Sequence, residues 1–379
     1  MSVFPATDPL KPLITALFRG EDTSWAQWQP RVDEDFIQLV AAHGLLPVLH
    51  DLDHQTGCFA DWPEELRKMI ADMAKQEAAL ELARKNELMR MLASMEENEI
   101  HPLLFKGSAL GYSLYPAPGM RPRSDHDLLI AKADRSRVAA LMKAAGYQPL
   151  FEVDADFLSA QTVFYKIDGM NIRHAFDVHW EITNLHGAFS RAFEYSHLME
   201  TARPIPALGD NARTLSNIDA LLLACYHRAV HYAYSGEFLI WLYDIHLLLQ
   251  ALADTEVDTL MDRSRTLEIV SVCKDAIITA REWFNTPITE EMVVWLNDPE
   301  AADVSSSLLQ PGRDSGIKSH ALMTLKALPS WRERIGYLLQ NLFPPVDYMM
   351  WRYHLKHKYQ LLYYYCYRML YGVYVLIKN

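Results

Sequence analysis

Cysteine is scarce in this chain: Cys58, Cys225, Cys273 and Cys366 are the only four in 379 residues, and no two stand in CxxC spacing. The scatter suggests neither a structural zinc site nor a disulfide framework, so a reducing, cytoplasmic setting is expected. Positive charge is also in deficit, 36 Lys and Arg against 48 Asp and Glu, a formal net of −12. That sign excludes broad, charge-driven nucleic-acid binding, though a local basic groove can still hold a hairpin or an RNA end. An export signal is not expected, because prolines and an aspartate interrupt MSVFPATDPLKPLI where a signal peptide needs an apolar run. Outside the C-terminal segment, no stretch approaches the 20 charge-free residues of a membrane span. Half of the residues are hydrophobic, enough for two or three domains with real cores.

The most informative stretch is 100–131, IHPLLFKGSALGYSLYPAPGMRPRSDHDLLIA. A short apolar run, 101–105, reads as a buried strand, and Lys106-Gly107-Ser108 breaks it where the apolar spacing turns helical. A strand that delivers Gly-Ser to a helix start makes an anion site. Free backbone N–H groups point outward there, glycine lets a phosphate approach, and the Ser108 hydroxyl adds a donor. Farther on, 124–130 reads as a second strand whose period of two puts Asp125 and Asp127 on one face. Two close carboxylates repel unless a cation lies between them, and hard oxygen ligands suit Mg²⁺ or Mn²⁺. Asp177, in the alternating segment 171–182, supplies a third. Two ions about 3.5–4 Å apart would complete such a site. Lys106, Arg121 and Arg123 are candidate triphosphate ligands, since guanidinium forks match phosphate oxygens; solvated loop side chains are the alternative.

These residues resemble the nucleotidyltransferases of the polymerase-beta-like superfamily, whose pattern is Gly-Ser opening a helix, Asp-x-Asp on the next strand and a later lone Asp. LLFKGSALGYSLYPAPGMRPRSDHDLLI, AAGYQP and FDVHWEI are similar to a bacterial group of nucleotidyltransferases, densely over residues 100–182. The resemblance implies Gly107 and Ser108 as the phosphate turn, Asp125, Asp127 and Asp177 as catalytic metal ligands, and an NTP as donor substrate. It does not carry over the acceptor, which in that superfamily ranges over nucleic acids, proteins, antibiotics and sugar phosphates.

The rest of the chain reads as helix around this centre. Small helices are expected within 9–19 and 31–42, then a turn-rich segment, 51–62, then a long charged helix from Pro63 to Asn98 whose Glu and Lys form a solvated face. A helix at 134–145 and a strand at 161–167 complete the core. His179 shares the face of Asp177, as a second-shell partner, an acceptor-side base or a plain hydrogen-bonded neighbour. The helices 217–232 and 238–252 carry His227 and His231 at i and i+4, and Asp244. Without an HExxH glutamate or a cysteine pair, zinc is disfavoured, and a polar network facing the nucleotide cleft is the better expectation. The expected fold is α+β: a small mixed β-sheet nucleotidyltransferase core, 100–213, between an N-terminal helical region, 1–99, and a C-terminal helical domain, 214–379. Residues 297–319 read as a loop.

Residues 331–379 differ in character. They hold seven Lys or Arg against two acids, a net of +5, while the other 330 residues net −17; ten of the nineteen tyrosines lie here. A helix packed on the helical domain with tyrosine hydroxyls at its rim is the first expectation, and peripheral membrane contact or stacking on RNA bases the others. The leading function is an Mg²⁺-dependent transfer of a nucleoside monophosphate from an NTP to a hydroxyl of an unidentified acceptor. The rivals are a non-catalytic nucleotide- or RNA-binding regulatory module of the same fold, and a membrane-associated polysaccharide assembly factor.

Overall fold

The computed structural model describes residues 5–29, 31–150, 160–182, 193–299, 303–309, 325, 328 and 330–377. Apolar residues three and four apart build the leading helices α1 (Lys11–Arg19), α2 (Trp25–Trp28), α3 (Glu34–Ala42) and α4 (Leu46–Thr56). α4 corrects the sequence expectation, which began a turn at residue 51. Proline in the first turn starts it, and left-handed Gly57, φ 68°, ends it. The long helix α5 spans Glu64–Glu97.

The centre follows in the order β1 (Leu103–Phe105), α6 (Lys106–Ser113), β2 (His126–Leu129), α7 (Arg135–Ala144), β3 (Gln148–Pro149), β4 (Gln161–Ile167) and β5 (Arg173–His179). Then come α8 (Tyr195–Glu200), β6 (Arg203–Pro204), β7 (Arg213–Thr214) and the helices α9 (Asn217–Ser235), α10 (Leu239–Gln250), α11 (Val257–Thr266), α12 (Val270–Phe284) and α13 (Glu290–Asn297). The last three helices are α14 (Trp331–Leu342), α15 (Val346–Arg352) and α16 (Leu361–Ile377). Most of the expected loop at 297–319 lies outside the described residues, and Val304–Leu309 within it forms a 3-10 turn.

The fold is α+β, a seven-stranded mixed sheet in the order β3-β4-β5-β2-β1-β7-β6 with helices around it. β2 runs antiparallel to β1 and parallel to β5, in a register that sets Asp127 beside Asp177. Strand alternation sorts the two faces. Leu104, Leu128, Phe176 and Val178 pack against Leu88, Met91 and Met95 of α5 and Val138 and Met142 of α7. Each such fully buried side chain contributes roughly 1.5–3 kcal/mol. On the opposite face Leu103, Phe105 and Leu129 join a second, larger core. That core unites α1, α3 and α4 with α9, α10 and α12, so helices that precede and follow the sheet in sequence close over the aspartate face. The three C-terminal helices pack chiefly on one another, and much of their apolar surface stays exposed, unlike the packed helix first expected.

Candidate active site

The strand-to-helix turn is abrupt. Phe105 is extended, and Lys106 takes a left-handed φ of 52°, a conformation uncommon among non-glycine residues. The turn aims Lys106 Nζ at Asp127 Oδ1, 2.7 Å away. Burial disfavours the Lys106 charge, but Asp127 and Asp177 outweigh it and raise its pKa. Burial also works against the Asp127 charge, and Lys106 and His179 more than offset it, holding Asp127 well below the usual carboxylate range.

Asp127 and Asp177 are mutual neighbours across the parallel β2–β5 ladder. His179 Nε2 reaches both, 3.3 Å from Asp127 Oδ1 and 3.2 Å from Asp177 Oδ2. Burial would strip its proton, yet Asp177 and its hydrogen bonds raise its pKa. Gln161 Nε2 of β4 donates to Asp177 Oδ2 at 2.6 Å. Asp177 Oδ1 is buried with no hydrogen-bond partner among the described residues. Asp125, one residue before β2, has its pKa pushed up to about 6 by burial and by the charges of Asp127 and Asp177. An orphaned carboxylate oxygen, with a third carboxyl resisting ionisation beside two others, fits the chemistry of a cation-binding site. The compact ligand group is Asp127, Asp177 and His179, whose ligating atoms all lie within 4.8 Å of one another. That group holds two of the three expected aspartates together with His179, while Asp125 lines the cleft beside it.

These carboxylates open on a cavity of about 610 Å³. Lys106, Gly107, Asp125, Asp127 and Asp177 line its floor, and His227, His231, Phe238, Trp241 and Asp244 line the helical wall opposite. The His227 and His231 rings lie tilted against each other, 4.4 Å between centroids, and Trp241 lies edge-on to His227 at 4.6 Å. Burial, with Lys106 nearby, disfavours the charged form of both imidazoles: His227 falls well below its ordinary pKa, helped by His231, and His231 falls to about 4. The expected polar network is thus an aromatic wall at the histidines, and Asp244 belongs to a different assembly.

That assembly corrects the placement of the arginines. Arg121 is buried and forks onto Asp244, with Nε 2.8 Å from Oδ1 and Nη2 2.7 Å from Oδ2. Its Nη1 donates to the Pro122 carbonyl, and Tyr115 Oη donates to Asp244 Oδ1 at 2.7 Å. Each nitrogen of the Arg121 guanidinium has an acceptor, so the side chain clamps the loop before β2 to α10 while lining the cleft. A Cβ on Gly107 would lie 3.1 Å from the Arg121 Cζ, so this glycine admits the clamp as well as any ligand. Arg123 Nη2 pairs with Glu81 at 2.5 Å, and Tyr112 also donates to Glu81. Ser108 is fully buried. Its Oγ lies 3.0 Å from His126 Nδ1 and 3.3 Å from the Asp125 carbonyl, so it braces the turn to β2 and does not face the cleft.

Arg84 and Glu77 of α5 also line the cleft, and the sequence reading missed both. The Arg84 side chain is only loosely held, 3.8 Å from Glu77, and its Nε has no hydrogen-bond partner among the described residues. Burial lowers its pKa against the pull of Glu77. A signal was present. Ile70, Ala74, Glu77, Glu81, Arg84, Leu88, Met91 and Met95 recur at spacings of three and four, so the charges interrupt an apolar stripe and lie on its face.

A small mixed sheet carrying an aspartate pair, with a strand–Gly-Ser–helix turn beside it, thus faces a helical wall across the cavity. The chain belongs to the family described as uncharacterised nucleotidyltransferases, whose family model matches residues 30–285. Among solved structures it is similar to the antibiotic-resistance factor ANT(2'')-Ia, at 16% identity over 51% of this chain and 92% of that one. The TM-score is 0.33, too slight a likeness to argue from. No curated protein sequence matches the chain. Among the described residues no helix is long and apolar enough to cross a membrane.

Proposed function

We propose that the protein is a metal-dependent nucleotidyltransferase of the polymerase-beta-like type, moving a nucleoside monophosphate from an NTP to a hydroxyl of a protein, an RNA or a small molecule such as a sugar. The observation that carries this reading is the Asp127–Asp177 pair across β2 and β5, with the bare Asp177 oxygen and the repelled Asp125 beside it. Asp125, Asp127 and Asp177 would hold Mg²⁺ or Mn²⁺, with His179 behind them. Such ions lower the pKa of an attacking hydroxyl and neutralise phosphate charge.

The chain's own groups divide the remaining work. Lys106 and Arg84 supply positive charge to a triphosphate, and the backbone N–H groups at the start of α6 receive its oxygens. Gln161 fixes the rotamer of Asp177 through its 2.6 Å hydrogen bond. Arg121 and Asp244 hold the loop that presents Asp125 at a set distance from α10. The wall of His227, His231 and Trp241 is uncharged, so it suits the part of a substrate that bears no phosphate.

Each α-labelled NTP, incubated with the protein, cell extract and Mg²⁺ or Mn²⁺, should leave label on protein, RNA or a small molecule. Asp127→Ala should cut that transfer by on the order of 10³ or more, since an ion clamp contributes several kcal/mol to the transition state. Transfer by the variant within tenfold of wild type would remove Asp127 from the site.

A further inference from the structure

The three C-terminal helices lie beyond residues 30–285, which the family model matches, and reverse the usual burial rule. Fourteen large apolar side chains in 331–377 are exposed, against eight in all other described residues. They are not scattered. On α14, Trp331, Ile335, Leu338 and Leu339 recur at helical spacing, with Trp331 67% exposed. On α16, Tyr363, Tyr367, Leu370 and Tyr374 form a second stripe, with Leu370 72% exposed. The two helices are fastened together behind these stripes: Arg368 Nε donates to the Asn341 carbonyl at 2.6 Å, and Tyr365 Oη to the Pro344 carbonyl at 2.5 Å. Exposed Arg332, Arg334, Arg352, Lys356 and Lys358 accompany the stripes. Of the two acids, Glu333 is engaged in capping α14 with Ser330, and Asp347 lies in the first turn of α15.

We infer that this helical unit is an interfacial anchor that lays its apolar stripes into the surface of an anionic lipid bilayer. Charge complementarity selects the occupant, for residues 331–379 carry a net of +5 in a chain whose remainder nets −17. The segment's positive charge draws it to an anionic surface that the net charge of the remainder would repel. Trp and Tyr with Leu and Ile beneath a basic rim is the composition that enters the headgroup and upper acyl region. A second copy would set one basic rim against another. An RNA would satisfy the cations and tyrosines, but it offers nothing to Ile335, Leu338, Leu339, Leu362 or Leu370. The anchor is independent of the nucleotide reading, because no residue of the cleft takes part in it.

The test is co-sedimentation of the full chain with vesicles of phosphatidylcholine alone and of phosphatidylcholine with about a third phosphatidylglycerol. Binding should be about tenfold or more tighter to the anionic vesicles and should weaken in high salt. Leu339→Asp with Leu370→Asp, both at exposed positions, should abolish binding to either vesicle, with melting temperature and calorimetric NTP affinity unchanged. Lys356→Glu with Lys358→Glu should remove the anionic preference while keeping the stripes. Absence of vesicle binding by the wild type overturns the inference. So does a concentration-dependent dimer in light scattering that the aspartate variant dissociates without any vesicle binding, or retention of a labelled RNA oligonucleotide in its place.

Discussion

Two buried carboxylate assemblies share one cleft, about Asp244 and about Asp127 and Asp177, and they are built on opposite terms. Asp244 receives the Arg121 fork on both oxygens and the Tyr115 hydroxyl besides. The Asp127–Asp177 cluster carries more acid than its single lysine and histidine neutralise, and it leaves Asp177 Oδ1 bare. A satisfied buried ion pair holds structure together. An under-satisfied one costs stability, and folds keep such a cost where a ligand repays it. Burial alone does not separate the two, since Asp244, Asp127 and Asp177 are all under a tenth exposed; the tally of partners does.

The largest test of that contrast removes one partner of the satisfied pair. Arg121→Ala should destabilise the protein by about 3–5 kcal/mol, because it strands the Asp244 charge in a dry site. Arg121→Leu combined with Asp244→Leu should recover much of that loss. Urea unfolding of the three proteins measures it. A cost below about 1 kcal/mol for Arg121→Ala would mean that water reaches Asp244 and that the clamp is loose.

How far the sequence could foresee this contrast depends on range. Short-range pattern placed the elements well: α5, β4, β5 and α9 fall within a few residues of their expected bounds, because caps, glycines and apolar periods are written locally. The two-residue strands β3, β6 and β7 were not legible, for so few residues carry no period. Partner choice was not legible either. Arg121 meets a residue 123 positions away and Arg123 one 42 positions away, so both looked like free loop cations suited to phosphate. Arg84 and Glu77 were legible in principle, as charges on the buried stripe of α5, but a long charged helix is read more readily as solvated.

A third buried polar group sharpens the comparison through pH. His246 on α10 is packed among Phe18, Tyr243 and Phe284, and its Nδ1 lies 2.8 Å from Thr286 Oγ1. Burial lowers its pKa to about 4 from an ordinary 6.5. The sign follows from which state binds protons more readily. Between pH 6.5 and 4 the unfolded chain protonates this imidazole and the folded chain does not. The neutral residue's contribution is therefore present above about pH 6.5 and lost as pH falls through about 4, by up to roughly 3 kcal/mol. His246→Phe, which keeps a ring in place, should flatten the acid limb of the stability–pH curve by that much. An unchanged slope would show that water reaches the ring.

The under-satisfied cluster responds oppositely to a lost charge. Asp177→Asn keeps shape and removes one of the two charges that repel Asp125. In EDTA the variant should melt at or above the wild-type temperature, and it should gain less from Mg²⁺ with NTP, since mass action has one ligand fewer to work through. A lower melting temperature in EDTA would move Asp177 into the same class as Asp244. An undiminished ligand increment would take it out of the site.

The smallest expected effect decides what the Gly-Ser turn does. In the anion-site reading the Ser108 hydroxyl donates to phosphate, and its loss weakens NTP binding. The hydroxyl instead lies between His126 Nδ1 and the Asp125 carbonyl, with no surface exposed. Burial keeps His126 well below its ordinary pKa, so the ring is neutral and can accept or donate through Nδ1 according to tautomer. One hydroxyl therefore ties the start of α6 to both residues that introduce Asp127. Ser108→Ala should cost about 1 kcal/mol of stability, the usual worth of a neutral hydrogen bond, while calorimetric NTP affinity in Mg²⁺ stays within about twofold. A large loss of affinity at unchanged stability would restore Ser108 to the phosphate. The expected result instead makes it a brace, and leaves anion contact to the backbone N–H groups, Lys106 and Arg84.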